Sequence, residues 1–163
     1  MKKFKLTSEF IVDISGVKLF RIKALIEFGN VKAGDLGGYI EKEENLSHMG
    51  DAWVSGDTQV FGDARVFGNA WVSGNARVFG DAQVFGDARV SGDKDYAYAH
   101  GFGSCNRTTT FFRLKDGDVG VRCGCFYGTL AQFRDKVCET HGETKKAQEY
   151  LMLADLMEIR FKN

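Results

Sequence analysis

Proline is missing from all 163 residues, where average usage would supply about eight. No proline-rich linker is therefore expected between rigid units. Net charge is missing too: 22 basic side chains face 22 acidic ones, so no global field draws the chain to a nucleic-acid polymer or an anionic membrane. No apolar run reaches the ~18 residues of a membrane-crossing helix. Met1-Lys2-Lys3 leads into alternation rather than into the apolar core of an export signal. Cysteine is sparse, and four scattered thiols without an export signal read as reduced rather than as a disulfide framework. Histidine is scarcer, at positions 48, 100 and 141 only. The expectation from these absences is a cytoplasmic protein with no membrane segment.

Glycine, by contrast, is abundant and periodic. It recurs every six residues at Gly50, Gly56, Gly62, Gly68, Gly74, Gly80, Gly86 and Gly92. Asp or Asn follows each, then nearly always Ala, a variable residue, Val, and Phe or Ser. A period of this kind marks a repeat architecture. Four alternating residues and a Gly-Asp/Asn corner fit a short strand and a turn, with Ala and Val on one side and the variable residue and Phe/Ser on the other. A second period is superimposed: Val54-Ser55-Gly56 returns as Val72-Ser73-Gly74 and Val90-Ser91-Gly92, and Trp53 returns as Trp71. Phe61 likewise matches Phe79, and Phe67 matches Phe85. Three hexads thus make one 18-residue turn with like residues stacked on each of three faces.

This pattern resembles the left-handed parallel β-helix of hexapeptide-repeat proteins. The resemblance implies a mainly β fold, with a short prism over residues 39–93. Before it, Leu19 to Leu25, Gly37-Gly38-Tyr39-Ile40-Glu41 and Asn45-Leu46-Ser47 resemble a lead-in found before such repeats in phage and prophage proteins. Residues 1–38 read as an N-terminal β cap, because an open coil end invites aggregation unless covered.

Residues 94–163 read as an α+β module. Thr108–Lys115 and Val119–Phe126 alternate as strands around the turn signal Asp116-Gly117-Asp118. Thr129 and Gln132 form a capping box for one helix, with Leu130, Phe133 and Val137 on its apolar face and Gly142 at its end. A second helix is expected from Thr144 to Ile159, with Ala147, Tyr150, Leu151, Ala154 and Met157 along its stripe. The runs Gly103 to Phe111, Val121 to Leu130, Glu139 to Gly142 and Glu149 to Leu151 resemble a C-terminal domain of phage and prophage proteins. That resemblance implies that the small module carries the specific function and that the prism displays it, in a host cytoplasm.

Hexapeptide folds host acyltransferases, which use a histidine near a coil as general base. Only His48 qualifies here, with no obvious orienting carboxylate in the sequence. A three-histidine metal site is disfavoured by the three different contexts of His48, His100 and His141. Cys123-x-Cys125 would place two thiols on one side of a strand, a poor match to zinc knuckles with two to four spacers. No metal or cofactor is expected, and no catalytic set.

The densest run of donors is Ser104, Asn106, Arg107, Thr108, Thr109 and Thr110, with Arg122 on the neighbouring strand and Tyr98 placed to stack. Arginine forks and oriented amides suit phosphate oxygens. The bland alternative is ordinary strand threonines and solvated arginines. The outward columns Trp53/Trp71, Phe61/Phe79 and Phe67/Phe85 would form exposed apolar faces, which mark an interface. A homo-oligomer is therefore expected, a trimer in preference, unless the termini fold back over the columns. The functional expectation is non-enzymatic: a phage-type protein sequestering a phosphorylated small molecule, such as a host nucleotide immune signal. The alternatives are a protein-interaction scaffold and, less favoured, a hexapeptide acyltransferase.

Overall fold

Valine and alanine decide the middle of the chain. In the computed structural model, which describes residues 1–104 and 107–162, Ala52, Ala64, Ala70, Ala76, Ala82 and Ala88 are fully buried. Val54, Val60, Val66, Val72, Val78 and Val84 are buried just as completely. Small alternating side chains fill a narrow interior, and every intervening residue is pushed outward. The strands are accordingly two residues each: β4 (Trp53–Val54), β5 (Gln59–Val60), β6 (Arg65–Val66), β7 (Trp71–Val72), β8 (Arg77–Val78), β9 (Gln83–Val84) and β10 (Arg89–Val90). They stack in parallel at an offset of 18, Val54 on Val72 on Val90, Val60 on Val78 and Val66 on Val84. This is a mainly β solenoid with three short strands per coil.

The first coil is longer. Leu46 bridges Val66 and Tyr39 pairs with Gln59, both at an offset of 20. The two extra residues fall between Leu46 and Val54, at the corner that carries His48 and Met49. Strand β3 (Leu36–Ile40) is shared: it pairs antiparallel with β2 (Lys18–Ala24) and parallel with β5. With β1 (Phe4–Val12) the cap therefore continues one face of the solenoid, in the order β1-β2-β3-β5-β8.

The two ends of the stack need opposite chemistry. Each coil's amides donate to carbonyls of the next coil, as Trp53 N–H does to Ala70 and Arg65 N–H to Ala82. The first turns are therefore left with acceptors and the last coil with donors. At the N-terminal end Lys3 Nζ donates to the carbonyls of Gly50 (3.2 Å) and Ala52 (2.7 Å). Asn45 Nδ2 does the same for Gly62 (3.1 Å) and Ala64 (2.8 Å), and the Tyr39 amide serves Thr58 (2.8 Å). At the other end the carboxylate of Asp93 accepts from Arg77 N–H (2.7 Å), Thr110 Oγ1 from Gln83 N–H (2.9 Å) and Asp95 from Ser91 N–H (3.0 Å). Replacing Thr110 with valine keeps the shape and orphans the Gln83 amide. It should lower unfolding stability by about 1–2 kcal/mol in urea denaturation, without changing the denaturant slope.

The C-terminal module is built on four antiparallel strands, β11 (Tyr96–Phe102), β12 (Arg107–Arg113), β13 (Val119–Cys123) and β14 (Phe126–Thr129), in chain order. The sequence pattern anticipated the pair β12 and β13 and ran β13 through to Phe126. Gly124, at φ 59°, instead turns the chain back into β14. One sheet face lies on the last coil through Thr110 and Phe112. The other packs against α1 (Leu130–His141) and α2 (Lys145–Arg160), where Phe111, Val121, Phe133, Tyr150 and Ala154 share a second core. The Thr129–Gln132 capping box and the Gly142 end are as anticipated, and Thr144 caps α2. No described helix is long and apolar enough to cross a membrane.

Candidate functional site

Strand alternation divides the donor run that the sequence placed together. Thr109 is buried toward the helices, its hydroxyl donating to Cys123 Sγ at 3.3 Å. Thr110 is buried toward the solenoid, where it closes the last coil. Neither is free to hold a ligand, which corrects the expectation for both. Thr108 Oγ1 lies 2.8 Å from His100 Nδ1. The same ring nitrogen is the one near Asp81, at 3.8 Å, so no hydroxyl–imidazole–carboxylate relay exists among these three. Asn106 lies outside the described residues.

Arg122 is corrected in the same way, and Tyr98 packs on the solenoid beside a different pocket from the one that holds Ser104 and Arg107. The Tyr98 ring meets Phe79 edge-on, at 6.0 Å between centroids. The Arg122 guanidinium lies over Phe85 and Phe67, 4.7 and 5.5 Å from their centroids. Arg122 covers the solenoid, and Tyr98 covers Phe79 while lining a pocket of about 360 Å³ with Arg77, Asp93, Tyr96 and Arg160. They also revise the expected oligomer surface. Phe61 and Phe79 stack at 5.3 Å and Tyr98 continues their column. Phe67 and Phe85 lie 4.5 Å apart and Tyr127 continues theirs. Trp53 is buried beneath Phe28 and Trp71 is half-buried. The columns that suggested a trimer are thus largely covered by the chain itself, with Phe79 the most exposed of the six at 38%.

His48 has a carboxylate nearby that its sequence context did not reveal, but its Nε2 makes no hydrogen bond to it. Its Nδ1 accepts from the Lys3 amide at 3.1 Å, its Nε2 lies 3.5 Å from Glu43, and its ring stacks on Phe4. Lys2 binds the same Glu43 oxygen at 2.9 Å, and that bond first of all holds the Glu43 carboxyl below its ordinary value. The imidazole is wedged between the cap and the first corner. Cys123 is buried at the end of β13 while Cys125 is exposed in the following turn, so the two thiols do not share one side of a strand. Among the described residues no group of three His, Cys, Asp or Glu side chains could hold a metal ion.

Two members of the donor run, Ser104 and Arg107, do come together at a cleft of about 310 Å³ between the sheet and α1. Phe126, Phe133 and Val137 form apolar walls, and Tyr150 and Cys123 the floor. Lys136, Thr140 and His141, from the second half of α1, also line it, and the Lys136 ammonium lies 3.8 Å from Glu139. Sequence reasoning missed these three because they lie about thirty residues beyond the donor run. The available signal was a lysine directly beside the Phe133/Val137 stripe.

The loop carrying Ser104 is clamped from α2. Glu149 accepts from the Gly103 amide at 2.8 Å and the Tyr150 hydroxyl from the Ser104 amide at 3.0 Å. Burial raises the Tyr150 hydroxyl above the ordinary phenol value, partly offset by the bond from Ser104. It therefore stays protonated at neutral pH.

A polar groove of about 410 Å³ at the far end gathers Lys94, Arg113, Arg160 and Lys162 around Asp95. Its two guanidinium groups already serve the fold. Arg113 donates to the Phe161 carbonyl, and Arg160 to those of Asp93 and Tyr96.

Residues 58–74 and 82–93 match the YdcK beta solenoid repeat. The match lies wholly within the stacked coils and agrees with their geometry, so this part of the chain is similar to a YdcK-type solenoid. It does not reach the sheet and helices that form the cleft. No curated protein shows significant similarity to the chain.

Proposed function

We propose that the chain binds and holds a small phosphorylated molecule, without turning it over, in the cleft lined by Arg107 and Lys136. The observation that carries this reading is that Arg107 and Lys136 line one cavity of about 310 Å³, mainly apolar, with Ser104, Thr140 and His141 beside them. Guanidinium forks and ammonium points suit phosphate oxygens, while Phe126, Phe133 and Tyr150 suit the flat body of a base. The wedged position of His48 favours binding over acyl transfer, because an acceptor substrate would have to displace Phe4 from its ring. With the phage-type resemblance of both flanking segments, a nucleotide signal of the host, kept out of circulation in the cytoplasm, is the guest we favour. We also read the solenoid as left-handed, on its hexapeptide period and three-sided register.

A nucleotide panel tests the function by thermal shift, since a ligand that binds only the folded state stabilises it. At a hundredfold excess over Kd the gain is about 2.7 kcal/mol, or about 8 °C for a chain of this size. The stabilising nucleotide should be recovered intact by mass spectrometry. Arg107→Ala should abolish the rise and Lys136→Ala should weaken it at least tenfold in Kd, with unliganded melting unchanged. A full rise in Arg107→Ala, or no rise with any nucleotide, would overturn the assignment.

A further inference from the structure

Helix α2 is apolar on the wrong side as well as the right one. Ala147, Tyr150, Ala154 and Met157 are buried against the sheet and α1. At 100° per residue, Met152, Leu156 and Ile159 point the opposite way, in a line spaced i, i+4, i+7. They are 70%, 55% and 73% exposed. A surface helix packed on one face carries polar residues at that pole, and one apolar on both faces is normally covered on both. Three large apolar side chains in line form a patch rather than scattered exposure.

We propose that this face binds a second copy of the chain, the two α2 helices packing antiparallel about a two-fold axis through Leu156. A two-fold contact needs a patch that complements itself. Reversing the helix about Leu156 does this: Met152 lies one turn to one side and Ile159 nearly one turn to the other. Each Met152 then meets the second copy's Ile159, and Leu156 meets itself.

The charges agree with this occupant. Asp155 and Glu158 flank the stripe on one side, and Arg134 of α1 binds both, at 2.6 and 3.1 Å. Two copies therefore bring ion pairs, not bare carboxylates, toward each other. On the other flank the antiparallel arrangement sets Glu149, bonded to the Gly103 amide, on the same side as the second copy's Arg160, bonded to the Asp93 and Tyr96 carbonyls, so the two contribute opposite charge rather than a new hydrogen bond. A lipid surface fits poorly, because an interfacial helix carries mainly lysine and arginine beside its apolar face, whereas this one has Asp155, Glu149 and Glu158 against Lys145 and Arg160. The contact differs in place and symmetry from a trimer through the solenoid faces, and it does not depend on the ligand reading. Three side chains per copy make a small interface, so association belongs in the micromolar range.

Sedimentation equilibrium from about 5 to about 500 µM tests it. The wild-type chain should fit a monomer–dimer equilibrium. Leu156→Glu should stay monomeric throughout, with its melting temperature within about 2 °C of wild type, since the site is exposed. Phe79→Ser, on the solenoid, should dimerise as wild type does. For the register, Leu156→Cys with Cys105, Cys125 and Cys138 changed to serine should oxidise to a covalent dimer, and Gln148→Cys in that background should not. A wild-type monomer at the highest concentration, a trimer, a dimer surviving Leu156→Glu, or equal cross-linking through Gln148→Cys would each overturn the proposal.

Discussion

Gly74→Ala is expected to lower the melting temperature by about 10 °C, while Gly92→Ala, at the equivalent place one coil later, should leave it within about 2 °C. Gly74 sits at φ 67°, and a Cβ there would overlap the backbone carbonyl of Ser91 on the next coil. Strain in the left-handed region costs about 1–2 kcal/mol, and forcing two coils apart about 1–3 more. A total near 3 kcal/mol corresponds to about 10 °C for a domain of this size. Gly92 is extended, at φ −173°, and a Cβ there meets no described atom within 4 Å. Differential scanning calorimetry of the two variants checks the contrast. Equal effects would mean that the last corner is as tightly stacked as the others.

Lys3→Met should cost about 3 kcal/mol in denaturant unfolding, an unusual loss for a lysine near a chain terminus. Lys3 is 1% exposed, its ammonium lies 4.5 Å above the Phe28 ring, and its two carbonyl partners have no preceding coil to serve them. Each buried carbonyl left without a donor costs about 1–3 kcal/mol. Burial also lowers the Lys3 pKa from 10.5 to about 8, partly offset by Asp51. At neutral pH both the folded and the unfolded chain carry the proton, and the fold bears the cost of an enclosed charge. Between about pH 8 and 10.5 the unfolded chain binds more protons than the folded one, so raising the pH stabilises the fold. The wild-type advantage over Lys3→Met should therefore be larger at pH 10 than at pH 7. An advantage that shrinks over that window would show that Lys3 is not enclosed.

The residues that were legible in advance are those whose neighbours in space are also periodic in sequence. Ala70 and Val72 could be assigned to the interior because Ala52, Ala88, Val54 and Val90 repeat them at the coil spacing, and all are buried. The Thr129–Gln132 cap was legible because it spans three residues. The cleft was half legible. Ser104 and Arg107 were found from their donor chemistry, whereas Lys136 and His141 come from a helix whose approach to β12 depends on the turn at Gly124. Thr109 and Thr110 were misjudged because a strand sends consecutive side chains to opposite faces, and each face here meets a different core.

The hexad alone determined the solenoid: its interior, its three faces and its coil length. A repeat of identical units carries no information about its own ends, however, and there only the folded chain decides. Lys3 and Asn45 supply donors to one end, Thr110, Asp93 and Asp95 acceptors to the other, from positions up to 49 residues away. The covering of the aromatic columns by Tyr98 and Tyr127 and the exposure of Met152, Leu156 and Ile159 were decided there too. The physical reason is common to all of them. Stacking is a local rule repeated, whereas satisfying the last free amide, carbonyl or apolar face depends on which distant segment reaches it.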